Sequence, residues 1–361
     1  MNFKINYNVD YLYESLNVLT SIADNKSPSK FSKDFAEKYN IPSDELSLLF
    51  DEICDIFSYI EDNISITEKD LNYLFKNNFP IENNFARIIL NPYMSLDFGD
   101  ILNKFKSSSY EEKHMELALS IVSSILYDEF ITREDIAHIN NAEALFKYIQ
   151  EKDISIELKY ELMYLYYNYD ELLEKVINIL SNVIRLIKEK EPYLKNRLVK
   201  FMNFIEENLN HYGIDFLKSN CNITLNQNSS LDIYPSIFNS NAIYVSGVSD
   251  TKDTLILGIN FLDLSYLLKK YKCNDKHLLS VLKALSDKSK LQILVALKND
   301  TLYAGQLADK LQITNATISY HMSTLLTLNL VHVEKNNTKV YYSIHKDKIS
   351  QYIDNLRDLL L

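Results

Sequence analysis

Residues 315–328 read NATISYHMSTLLTL, and residues 331–344 read VHVEKNNTKVYYSI. In the first segment Ile318, Met322 and Leu325 recur at three- and four-residue spacing, which places them on one face of a helix. The opposite face carries Ala316, Thr317, Tyr320, Ser323 and Thr324, flanked by Ser319 and His321, and the segment holds no acidic residue. A helix lying in the major groove of DNA needs such a surface. Short polar groups must reach base edges, and no carboxylate should face phosphate. The second segment contains two β-prone runs, 331–335 and 339–344, around Asn336-Asn337-Thr338, which predicts a hairpin. Lys335 and Lys339 flank its tip.

Working outward, residues 278–285 predict a short helix. Ser286-Asp287 is a cap for a second helix, 288–298, whose Leu291, Leu294 and Leu297 recur at every third residue. Residues 303–311 predict a third helix, and Gln312-Ile313-Thr314 a tight turn before the fourth. The chain closes with an amphipathic helix bearing Ile349, Tyr352, Ile353, Leu356, Leu359 and Leu360. Helix-turn-helix followed by a basic-tipped hairpin predicts a winged helix-turn-helix domain over 276–361. The wide apolar stripe of the last helix predicts a dimer seam.

Through these elements the sequence resembles the ArsR-type family of bacterial winged-helix repressors. The resemblance covers about residues 278–345 and rests on Leu285-Ser286-Asp287, Ser319-Tyr320-His321 and Tyr341-Tyr342-Ser343. It implies a homodimeric transcriptional regulator that reads an inverted repeat in double-stranded DNA. Two departures matter. Many members hold a metal through a Cys pair on the helix before the turn, where this chain has Leu302-Tyr303-Ala304-Gly305-Gln306. Others use His and acidic ligands on the final helix, and residues 346–361 contain no histidine. No metal site and no cofactor are therefore predicted. Tyr320 stands where the family often has a basic residue, and residues 276–356 lack arginine. Without bidentate Arg–guanine contacts the site is expected to lean towards A·T, with Asn315 as an adenine reader. The base-edge candidates are Asn315, Thr317, Ser319, Tyr320 and His321. The phosphate candidates are Lys335, Thr338 and Lys339. The competing readings are a His321 that packs inside the domain and lysines on an ordinary solvated turn.

The rest of the chain has another character. Up to about residue 220 it reads as successive amphipathic helices. Ser109-Tyr110-Glu111-Glu112 forms a capping box, and Thr67 and Thr132 each precede an acidic residue by three positions. Leu172, Val176, Ile179, Val183 and Ile187 form one stripe. Tyr160, Tyr164 and Tyr167 share a face, read as core, with a ligand-stacking wall as the alternative. Residues 231–238, 242–246 and 254–259 then predict a small antiparallel β element, with Pro235 marking an edge or a break, and 262–270 a short helix. The fold class expected is mainly α: a helical N-terminal domain, 1–272, with that β element, and the C-terminal winged helix-turn-helix.

Composition bounds the function. Of 361 residues, 47% are hydrophobic and 24% charged, which is ordinary for a globular chain. The five glycines never lie closer than Gly247 and Gly258, so no Gly-rich loop is present to cradle a nucleotide phosphate. Cys54, Cys221 and Cys273 are scattered, as expected in a reducing compartment. No signal peptide or membrane span is legible, and a cytoplasmic location is expected. Residues 276–361 hold eleven basic and seven acidic side chains, a net +4, which leaves −15 of the total −11 on the other 275 residues. A basic end on an acidic body suits one domain that meets polyanions. No nucleophile set is present, so an enzyme is not predicted. The reading is a sequence-specific, homodimeric DNA-binding regulator, a repressor by resemblance, whose N-terminal domain senses a small molecule or protein. The alternatives are a winged-helix scaffold that binds protein, and an N-terminal enzyme with an appended regulator.

Overall fold

Few glycines and prolines leave few breaks, and helices dominate the computed structural model, which describes residues 3–77, 83–94, 96–126, 132–221, 223–224, 230–249, 252–271, 275–336 and 339–360. The chain divides into two compact units. One comprises Tyr11–Asn25 and Tyr59–Lys190; the other comprises Met1–Asp10, Lys26–Ser58 and Glu191–Leu361. The boundary expected near residue 272 thus lies inside the second of these. Among the described residues no helix is long and apolar enough to cross a membrane.

The first unit is helical. Its longest helix, Tyr169–Lys190, buries Leu172, Val176, Val183 and Ile187 of the predicted stripe, leaves Ile179 of that stripe half-buried, and buries Leu173, Ile177, Leu180 and Ile184 beside them. The Tyr169 hydroxyl donates to Ile89 O at 3.2 Å. The caps at Thr67 and Ser109 form, accepting from Asp70 N and Glu112 N at 3.1 Å each. Thr132 starts no helix. Its backbone N and its hydroxyl both donate to Asp135 Oδ2, at 2.8 and 2.7 Å, inside a turn, and Asn141 caps the next helix, Ala142–Gln150. The tyrosine stripe differs from its reading as core. Tyr160, Tyr164 and Tyr167 are exposed, Tyr160 by 73%, while Leu162, Leu165, Tyr166 and Tyr169 are buried. The phenolic oxygens let the tyrosines stand in water, so tyrosine spacing alone does not identify the inner face.

The strands of the second unit, in chain order, are β1 (Phe3–Ile5), β2 (Ile223–Thr224), β3 (Ser230–Ser236), β4 (Ile243–Ser249), β5 (Lys252–Gly258), β6 (Leu302–Tyr303), β7 (Val331–Asn336) and β8 (Lys339–Ile344). The first sheet has the order β1-β3-β5-β4. It is mixed rather than antiparallel. β4 folds back on β5, and β3 takes the other side of β5, parallel to both β5 and β1. Ile233 O accepts from Asn6 N on the β1 side. Pro235, two residues on, faces the same side beyond the end of β1, so its missing N–H breaks no ladder. Leu231, Ile233, Leu255 and Leu257 pack on Met202, Ile205 and Leu209 of the helix Lys195–Tyr212. At Gly258 a Cβ would come within 2.3 Å of the Ser240 backbone, so only glycine fits.

The winged helix-turn-helix follows in the same unit. Its helices are Asp275–Ser286, Lys288–Ala296, Ala304–Leu311, Asn315–Thr327 and Lys346–Leu360. Ile293, Leu294, Leu297, Leu307, Ile318, Met322, Leu325 and Tyr352 form one core. Leu291 is exposed. A strict three-residue repeat drifts about 60° per step around a helix of 3.6 residues per turn, so the buried set is completed by Ile293 instead. The wing sheet has the order β2-β7-β8-β6. The hairpin β7–β8 lies where expected. Two flanking strands were not expected: β6, antiparallel to β8, and β2, parallel to β7 through Ile223–Val333 and Thr224–Glu334.

Candidate nucleic-acid interface

The recognition helix Asn315–Thr327 is set by its ends. Gln312 adopts φ 56°, closing the preceding helix in the left-handed conformation. Thr314 then caps the next one, its Oγ1 accepting from Thr317 N at 3.1 Å. At the far end Asn329, φ 58°, turns the chain out, and Leu330 N donates to Leu325 O at 2.9 Å. Asparagine tolerates this conformation because its side chain bonds locally. The Tyr352 hydroxyl of the terminal helix donates to Leu328 O at 3.0 Å, fastening the end of the recognition helix to the domain. Upstream, Asp287 accepts from Lys290 N at 2.9 Å, so the Leu-Ser-Asp motif is a helix cap in three dimensions.

On this support Ile318, Met322 and Leu325 are fully buried, and Tyr320 stands out at 69% exposure with Ser323 also exposed. The Thr317 hydroxyl lies 2.8 Å from that of Thr314 and belongs to the cap. Asn315 Oδ1 and Ser319 Oγ, one turn apart, are shielded and have no hydrogen-bond partner among the described residues. A change of rotamer is needed to bring either to a base edge. His321 differs from its reading as a base-edge residue. It is 8% exposed, and its Nδ1 has no hydrogen-bond partner among the described residues. It lies one position past Tyr320, where the helix turns toward the core, with the two rings 5.5 Å apart. Lys335 and Lys339 occupy the hairpin ends, opposite Val340 and Asn336 in backbone register. Thr338 lies outside the described residues.

A profile described as "Bacterial regulatory protein, arsR family" matches residues 287–333. The arsenical resistance operon repressor of Staphylococcus aureus is 36% identical over 81 residues, spanning 78% of that protein and 22% of this one. The chain belongs to the ArsR family. Its family match is confined to about a quarter of its length. The transcriptional activator HlyU of Vibrio cholerae is 27% identical over 92 residues, 26% of this chain and 85% of that one. The crystal structure of NolR from Sinorhizobium fredii covers 26% of this chain and 91% of its own, at 25% identity and a TM-score of 0.22.

This ArsR-family protein is thus a transcription regulator with a helix-turn-helix DNA-binding domain, and two features of that domain escaped sequence reasoning. Lys290 lies 5.9 Å from the Tyr320 ring and 3.3 Å from Asp287, a cation tucked against the reader helix. Its place three residues after a cap was the available signal. The strand β6 is too short to show a period.

The histidines of the domain make its stability depend on pH. Burial, with the Lys290 charge adding to it and Asp287 opposing, holds the His321 ring below the ordinary 6.5. Burial, with Lys218 adding and Asp347 and Glu334 opposing, does the same for His332. A proton therefore binds the unfolded chain more readily than the folded one. The stability this contributes is complete above the unfolded value and is lost as pH falls through the folded one. The melting temperature is expected to drop as pH falls below about 6.5, and His321→Gln to flatten that drop. A melting profile level across this range in the wild-type protein would contradict the assignment.

Proposed function

We propose that the chain is a sequence-specific transcriptional regulator, rather than an enzyme, that binds as a homodimer to an inverted repeat leaning towards A·T and represses from it. Residues 1–272 sense a small molecule or a protein partner. The observation that carries this reading is the acid-free outer face of the recognition helix, with Tyr320 outermost on a buried aliphatic cushion. Exposed Ile353 and Leu360 on the terminal helix support the dimer, because a stripe left in water is what a two-fold partner covers. Repression follows the staphylococcal relative, which is called a repressor, whereas the Vibrio relative is called an activator.

Footprinting of the purified protein on fragments of its own genome tests the reading. Protection of two symmetric half-sites, weakening steeply as salt rises, is the expected result. Binding that ignores salt would transfer the winged helix to a protein partner. Tyr320→Ala is expected to relax preference among operator variants by about 1–3 kcal/mol at the contacted position, with little change on random DNA. An equal loss on both would remove Tyr320 from base readout.

A further inference from the structure

A cavity of about 510 Å³ lies inside the second unit, walled on one side by the helix Phe261–Tyr271 and on the other by the DNA-binding domain. The domain contributes Leu328 and Asn329 from the end of the recognition helix, and Lys348 and Tyr352 from the terminal helix. The opposite wall contributes Tyr266 and Tyr271, with Tyr266 65% exposed at the mouth. Tyrosines thus stand on both walls, Tyr266 open and Tyr352 of the domain almost wholly buried, and an aromatic ring offers a flat apolar face to a planar ligand. No Asp or Glu lines the cavity among the described residues, while Lys348 does, its Nζ donating to Gln351 Oε1 at 3.0 Å. An amine would find no counter-charge here. A carboxylate would find an ammonium, and exchange of the uncharged Gln351 acceptor for one of opposite charge favours it. The volume suits a ligand of one or two rings.

We propose that this cavity is an effector site for a small aromatic carboxylic acid, with the carboxylate on Lys348 and the ring between the tyrosines. The inference rests on the regulatory reading above and gives its sensor a place and a ligand class. Coupling to DNA follows from the walls. The occupant touches Leu328, whose carbonyl holds the Tyr352 hydroxyl. Any shift of the terminal helix to accommodate a ring is felt at the end of the recognition helix. A ligand that prefers one arrangement of these two helices biases DNA affinity, and DNA biases ligand affinity by the same factor.

The test uses the full chain, with salicylate and indole-3-acetate as probes and calorimetry without DNA as the first readout. At least one acid is expected to bind saturably, one per chain, and its neutral amide to bind about tenfold more weakly. Lys348→Gln is expected to weaken the acid by a similar factor at unchanged melting temperature, and Lys348→Arg to restore it. Tyr266→Ala is expected to weaken acid and amide alike. Operator affinity, measured on the footprinted site, is expected to change by about fivefold or more when the acid saturates. Absence of saturable binding by both acids, or equal binding by Lys348→Gln, overturns the site. Binding without an effect on operator affinity overturns the effector role. If no DNA is bound at all, the regulatory reading fails, while the calorimetry still decides whether the cavity takes the acid.

Discussion

Leu325→Ala is expected to destabilise the DNA-binding domain by about 2–5 kcal/mol, the usual cost of a Leu-to-Ala cavity in a packed core. Leu325 is fully buried in the cluster that holds Ile293, Leu294, Ile318 and Met322, directly beneath the reader face. Its carbonyl also receives Leu330 N at the turn that leads into the wing. The loss should be local, because the chain contains a second compact unit with a core of its own. Amide hydrogen exchange resolves this. Protection should fall across residues 315–344 and remain unchanged across Tyr169–Lys190. Operator binding should fall with it, although no groove-facing atom has been removed. Leu325→Met, which conserves volume, should cost less than about 1.5 kcal/mol. Unchanged protection in 315–344 would mean that this leucine does not support the reader.

Lys335→Ala combined with Lys339→Ala is expected to weaken binding by roughly 10–100-fold at moderate salt, and to the same extent on operator and on random DNA. The two positions sit at the paired ends of β7 and β8, one on each side of the hairpin turn. A phosphate contact releases condensed counterions. Removing two such contacts should flatten the slope of log affinity against log salt by about 1.8. Lys335→Arg with Lys339→Arg retains both charges and should retain the slope. A slope unchanged in the alanine variant would leave the wing as an ordinary solvated turn.

What the sequence disclosed and what it withheld follow from range. The cap at Asp287, the turn at Gln312 and the hairpin around Asn336 depend on residues a few positions apart, and all were legible. The aliphatic underside of the recognition helix was legible because three residues at helical spacing leave no other face. His321 was misplaced because a side chain adjoining an exposed face can rotate to either side of the boundary, and only packing decides. The parallel pairing of β3 with β5 was hidden because a strand's period is the same whichever neighbour it joins. The cavity is assembled from segments between Tyr39 and Tyr352, and no local pattern announces a wall shared by residues so far apart.

The strand β2 carries a practical consequence. Its two residues occupy the outer side of β7, where Ile223 and Thr224 pair with Val333 and Glu334. A fragment trimmed to begin at residue 276 would keep its fold pattern but lose that cover. The uncapped backbone would then offer its amides and carbonyls to any passing extended peptide, including its own duplicates. Such a truncated preparation would be adhesive, and clumping in it would reflect the cut rather than the natural assembly. A polypeptide that retains residues 223–224 carries its own protective selvage.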